Sequence, residues 1–197
     1  MNSTMLLMLG ILAFVVVWAT GAYNRLVRLR NEIANAFALI DVQLKRRHDL
    51  IPNLVEVARK YLAHERDTLE RVTAARAQAM AASDLARSKP LEAGAIKSLI
   101  MAESSLASAL GRFQAVVESY PELKADAHMR ELAEELTHTE NKVAFARQHF
   151  NDVTLVYNNA AEAFPTHIVS GLFSFKSAAM LQSTSSEVER EPVKVSF

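Results

Sequence analysis

The chain has 197 residues, half of them hydrophobic, and its 22 basic and 22 acidic side chains cancel to a formal net charge of zero. That balance removes the basic surplus on which nucleic-acid binding depends, so no nucleic-acid partner is expected. There is no cysteine, which excludes disulfides, thiolate nucleophiles and cysteine-based metal sites and leaves the compartment open.

No charged residue occurs before Arg25, and residues 5–19 (MLLMLGILAFVVVWA) are almost wholly apolar. With the flanks Thr4 and residues 20–22, about 19 residues at ~1.5 Å each extend roughly 28 Å, close to the hydrocarbon thickness of a bilayer. In lipid the backbone amides are satisfied only internally, so the run is expected to be a helix. Residues 1–22 therefore read as a transmembrane anchor. A cleaved secretory signal is the rival reading. It wants a basic start, which residues 1–4 lack, and a small-x-small site, which Ala19-Thr20-Gly21 only approaches. Arg25, Arg28 and Arg30 follow the span, and nothing basic precedes it. The bias places the N-terminus outside and the body in the cytoplasm of a single-pass protein.

The remaining ~175 residues suffice for one domain with its own core. Five glycines and five prolines are few for that length and point to helices. From Tyr23 to about Leu50, Ile33, Phe37, Ile40 and Leu44 alternate spacings of four and three, a helix seam. No Gly or Pro follows Gly21 here, so the membrane helix can run straight into this one. At Pro52 two accounts compete. Asp49 can cap a new helix with Pro52 in its first turn, or Pro52 can kink one long helix by removing the bond to the His48 carbonyl. The tight reversal is preferred, because a kinked rod of some 60 residues leaves the other helices short of partners.

A second helix is expected from about Asn53 to Ser83, with Val55, Ala58, Leu62, Leu69 and Val72 on its seam. Ser83-Asp84 and Arg87 to Pro90 read as a loop. A third helix carries Leu99, Glu103, Leu106, Leu110, Phe113, Val117 and Tyr120, and stops at Tyr120-Pro121. A fourth runs without a phase slip from Met129 through Leu136, Val143, Phe150 and Tyr157 to Phe164. A mean period of 3.5 implies left-handed, nearly antiparallel packing at roughly 20°. The fold class is therefore all-α: an N-terminal transmembrane helix followed by an antiparallel up-and-down bundle of about four long helices, residues 23–165. Residues 166–181 form an apolar segment that covers the bundle end or lies at the membrane surface, where Leu172, Phe173 and Phe175 would insert. Residues 182–197 read as a flexible tail.

Tyr23-Asn24-Arg25-Leu26-Val27-Arg28-Leu29-Arg30-Asn31, the block from Asp41 to Val55 with its core Gln43-Leu44-Lys45-Arg46-Arg47-His48-Asp49-Leu50-Ile51-Pro52-Asn53, and Ala63-His64-Glu65 resemble the LemA family. Glu134 to Thr137, Thr139-Glu140-Asn141, Tyr157-Asn158 and Phe164-Pro165 follow the same pattern in order. The resemblance implies a bacterial envelope protein of the inner membrane, with one N-terminal membrane helix, a short outer N-terminus and a helical-bundle body. It implies no particular chemistry. Phe37 departs from the pattern, which commonly has Trp there, and so does the Ala-rich stretch 93–109.

Candidate chemistry is sparse. Glu135-Leu136-Thr137-His138 has the Glu-x-x-His spacing of di-iron bundles, which need two such motifs and two further inward glutamates. This is the sole instance around the six histidines, and its two polar residues flank the seam. His64-Glu65 begins like a zinc-protease helix, but Thr68 stands where the second ligand belongs. No catalytic residue, metal ligand or cofactor is therefore assigned. Lys45, Arg46, Arg47 and His48 read first as a solvated face and, more sharply, as a lipid-headgroup or partner contact. Val193, Val195 and Phe197 form a β-prone end that a partner's sheet edge could accept. Glu65 and Glu103 fall on seam positions; either they face open ends or they pair with arginines across helices, where a buried pair fixes register. The expected function is a non-enzymatic scaffold, tethered to the bilayer, that binds itself or another envelope protein and shapes the membrane. The alternatives are an adaptor working through its tail or basic patch, and a metal-dependent enzyme built on Glu135 and His138.

Overall fold

A computed structural model describes residues 3–62 and 64–181. Among them, six helices occur and no strand: α1 (Ser3–Arg59), α2 (Arg66–Ser88), α3 (Ala93–Glu118), α4 (Pro121–Ala125), α5 (Ala127–Glu162) and α6 (Thr166–Leu172). The all-α class with a long apolar N-terminal helix is thus observed. The 57 residues of α1 are one helix, about 85 Å long at ~1.5 Å per residue. It contains the one stretch among the described residues long and apolar enough to cross a membrane.

The reversal expected at Pro52 does not occur. Pro52 lies inside α1, and the chain turns only after Arg59. Proline denies the His48 carbonyl its helical N–H, and Arg76 of α2 donates Nε–H to that same oxygen at 2.6 Å. The orphaned acceptor therefore gains a charged donor, and the helix has no need to end. The other boundaries shift in consequence: α2 begins at Arg66 and continues through Ser83 to Ser88. Its last turns are fixed to α1 by Asp41, which accepts from Ser83 at 3.2 Å and from Arg87 at 2.8 and 3.0 Å.

Cross-helix contacts give the chain directions. Arg47 meets Glu140, and Phe37 meets Phe150 edge-to-face at 6.0 Å, so α5 descends as α1 rises. Asp41 with Arg87 and His48 with Arg76 set α2 antiparallel to α1. Glu103 beside Arg47 and His48, with Leu99 beside Ile40 and Leu44, sets α3 parallel to it. At the end remote from the apolar stretch, Asp126 caps α5 by accepting from the backbone N–H of His128 and Met129. It also accepts from Tyr61 at 3.1 Å, tying the α1–α2 turn to the start of α5.

The core has two apolar halves. One is built from Leu26, Ile33, Phe37, Ile40 and Leu44 of α1 with Phe150 and Tyr157 of α5. The other joins Ile51, Leu54 and Ala58 to Val72, Leu106 and Phe113. Past α6 the chain turns at Ser174, whose φ of 57° is left-handed. Residues 175–181 then return along α5. Asn158 exchanges both amide bonds with the Ala178 backbone (3.0 and 2.8 Å), and Asn151 does the same with Leu181 (2.7 and 2.8 Å). Seven residues apart, the two asparagines share a face of α5 and hold the segment in place.

Candidate functional site

Between the two core halves lies a polar layer to which every long helix contributes. Arg47 and His48 of α1 are only 6 % and 3 % exposed. Glu103 of α3 reaches both, with Oε2 accepting from Arg47 Nη1 at 3.1 Å and Oε1 facing His48 Nε2 at 2.8 Å. Because a carboxylate only accepts, Nε2 is the protonated ring nitrogen there. Arg47 Nη2 donates to Glu140 of α5 at 2.8 Å, and Arg76 of α2 completes the layer at the His48 carbonyl. Thr139 turns its hydroxyl back to the Glu135 carbonyl, so it adds no cross-link.

Beside this layer is a cavity of about 440 Å³. Ile40, Leu44, Leu99 and Val143 give it an apolar floor, and Arg47, Glu103, Glu140 and Arg147 give it charged walls. Burial lowers the Arg147 pKa, and the nearby Glu103 carboxylate opposes that shift. Arg47 Nε has no hydrogen-bond partner among the described residues. The two guanidinium groups and two carboxylates balance, so the wall has paired charge of neither sign in excess.

The basic run does not form one patch. Lys45 and Arg46 are exposed, and Arg46 pairs with Glu135 on the outside. Arg47 and His48 turn inward, which ends their reading as solvated residues. Successive helix positions point about 100° apart, so four consecutive residues cannot share a face. Glu135 is thus an ion-pair partner, and no group of three or more His, Asp or Glu among the described residues is arranged to hold a metal. Glu65 stands at the open end, in the N-cap position of α2, whereas Glu103 takes the cross-helix pairing. Val193, Val195 and Phe197 lie outside the described residues. The sequence reading missed Arg76, Glu140, Asn151 and Asn158 as structural contacts. The spacing of seven between Asn151 and Asn158 was the available signal for the last two.

A model of the LemA family matches residues 36–197, which include the polar layer on α1, α3 and α5. The chain belongs to the LemA family. It is 28 % identical to Protein LemA of Metamycoplasma hominis over 191 residues, covering 97 % of this chain and 80 % of that one. It is also 24 % identical over 194 residues to Magnetosome protein MamQ 2 of Paramagnetospirillum magneticum, covering 90 % of this chain and 71 % of the relative. Magnetosome protein MamQ of Magnetospirillum gryphiswaldense is 24 % identical over 172 residues, covering 78 % and 62 %. With its apolar N-terminal helix, this LemA-family chain is a membrane-associated helical protein.

Proposed function

We propose that the chain is a membrane-anchored, non-enzymatic scaffold of the bacterial envelope that associates with itself or with another envelope protein and helps to shape the membrane. The observation that carries this reading is the continuity of α1, which passes from its apolar stretch into the bundle core without a break. A helix has no hinge where its hydrogen-bond ladder is unbroken, so forces on the bundle reach the membrane. Confinement to a bilayer also raises the effective concentration of copies, which lets a weak contact suffice for association. Leu39 and Val42 on α1 and Phe145 on α5 are large, apolar and exposed, and they offer contact surface. The exposed Arg25, Arg28 and Arg30 after the apolar stretch support an inner-membrane protein with the bundle in the cytoplasm. Mass measurement on detergent-solubilised full-length protein tests the association. Masses of two or more copies, or of one copy with a partner, are expected; a strict monomer from freshly solubilised membranes would remove it.

A further inference from the structure

The bundle end nearest the apolar stretch is closed by α6 and the turn after it, and that closure leaves a second apolar surface uncovered. Val169 and Ser170 face inward, with the Ser170 hydroxyl donating to the Ala161 carbonyl at 2.8 Å. Phe164 is 81 % exposed, Ile168 55 % and Leu172 77 %. Ile168 and Leu172 lie one helical turn apart and share a face of α6, and Phe164 stands in the turn that leads into it.

The position of this surface decides what covers it. The Phe173 and Phe175 rings pack edge-on against Tyr23, with centroids at 4.9 and 5.5 Å. Trp18, Ala19 and Ala22 are half-buried against the same core cluster that holds Val169 and Ala178. Trp18 and Tyr23 bracket the end of the apolar run, where amphipathic rings occupy the boundary between acyl chains and headgroups. A surface resting on these residues lies at that same depth. The exposed Arg25, Arg28 and Lys176 stand nearby in sequence and suit anionic headgroups.

We propose that Phe164, Ile168 and Leu172 insert into the interface of the bilayer that α1 crosses, so that the bundle grips the membrane at a second point beside its span. Phe175, by contrast, is spent on Tyr23 and does not insert. The inference rests on α1 spanning the membrane; it does not depend on self-association.

The absence of native cysteine permits a direct test in the full-length chain. Single variants Phe164→Cys, Ile168→Cys, Leu172→Cys and, as a control about 30 Å further along the bundle at ~1.5 Å per residue, Met101→Cys are labelled with an environment-sensitive fluorophore. They are reconstituted in 3:1 phosphatidylcholine–phosphatidylglycerol vesicles with and without lipids spin-labelled high on the acyl chain. The three α6-region probes are expected to emit to the blue of the control and to be quenched by the spin-labelled lipid about threefold more strongly. Quenching equal to that at Met101 would overturn the proposal. So would blue-shifted emission without lipid quenching accompanied by crosslinks between copies, which would assign the surface to a second chain. A probe in α1, Leu12→Cys, read against lipids spin-labelled deep on the acyl chain, separates this failure from loss of the span: if it too escapes quenching, the anchoring itself is wrong.

Discussion

Arg47 is held by two carboxylates while deeply buried, so removing one partner and replacing the whole group have different consequences. Glu103→Leu strands Arg47 with Glu140 alone and leaves His48 Nε2 without its acceptor. We expect a loss of about 2–3 kcal/mol in urea unfolding, toward the low side of what a broken buried ion pair costs because Glu140 remains. Read from the sequence alone, the same substitution is expected to be neutral or stabilising; the layer predicts a loss instead, because Arg47 and His48 are buried against Glu103. The triple variant Arg47→Met, His48→Leu, Glu103→Leu should recover most of the loss, since no charge is then left unpaired in the layer. Asp126 provides a pH-dependent residue at the other end. The Met129 backbone N–H, with Tyr61 and His128, holds its pKa below the ordinary 3.8. Its contribution is therefore complete above that value and is lost as pH falls through the lowered one. Asp126 in turn raises the Tyr61 pKa above 10.0, so that contribution is present below 10.0 and fades at higher pH. Asp126→Asn keeps a cap acceptor and removes the titration. Its melting temperature should fall less than the wild type's between about pH 5 and about pH 3.

At the scale of the element, α1 depends on an interaction that no window of its own sequence contains. The seam residues Ile51, Val55 and Ala58 continue the phase of Ile40 and Leu44, and that phase is legible. What it does not reveal is that Arg76, 28 residues away, supplies the His48 carbonyl with a donor. A local reading gives Pro52 a helix start or a kink, while the tertiary contact lets the helix continue. A double-mutant cycle isolates the link. Arg76→Met should destabilise the wild type by about 1–2 kcal/mol, because a hydrogen bond from a charged donor to a half-buried carbonyl is lost. In a Pro52→Ala background the helical N–H returns, and the same change should cost well under half as much. Equal costs in both backgrounds would disconnect Arg76 from the proline. Helix ends were less legible than helix phases for a related reason: the loop expected at Ser83-Asp84 is helix, because Asp41 gives Ser83 and Arg87 a partner on α1.

For the whole molecule, hydrophobic periodicity was enough to find the long helices of the bundle and the apolar run ahead of them. Periodicity marks which face of a helix is buried and leaves open what a polar residue on that face meets. Glu103 was visible as an interruption, and its partners Arg47 and His48 were visible as a basic run, but their pairing required α1 and α3 in register. The layer they form lies between the two apolar halves of the core. With the proposed anchor, α1 makes one stiff body that begins in the membrane and ends in the bundle. Pulsed electron-spin distance measurement on full-length protein in lipid nanodiscs, with labels at Leu12→Cys and Val42→Cys, tests that claim. An unbroken helix places these sites ~45 Å apart at ~1.5 Å per residue, as a single narrow distribution. A broad distribution, or one centred well below that distance, would show a break between membrane and bundle and contradict the account.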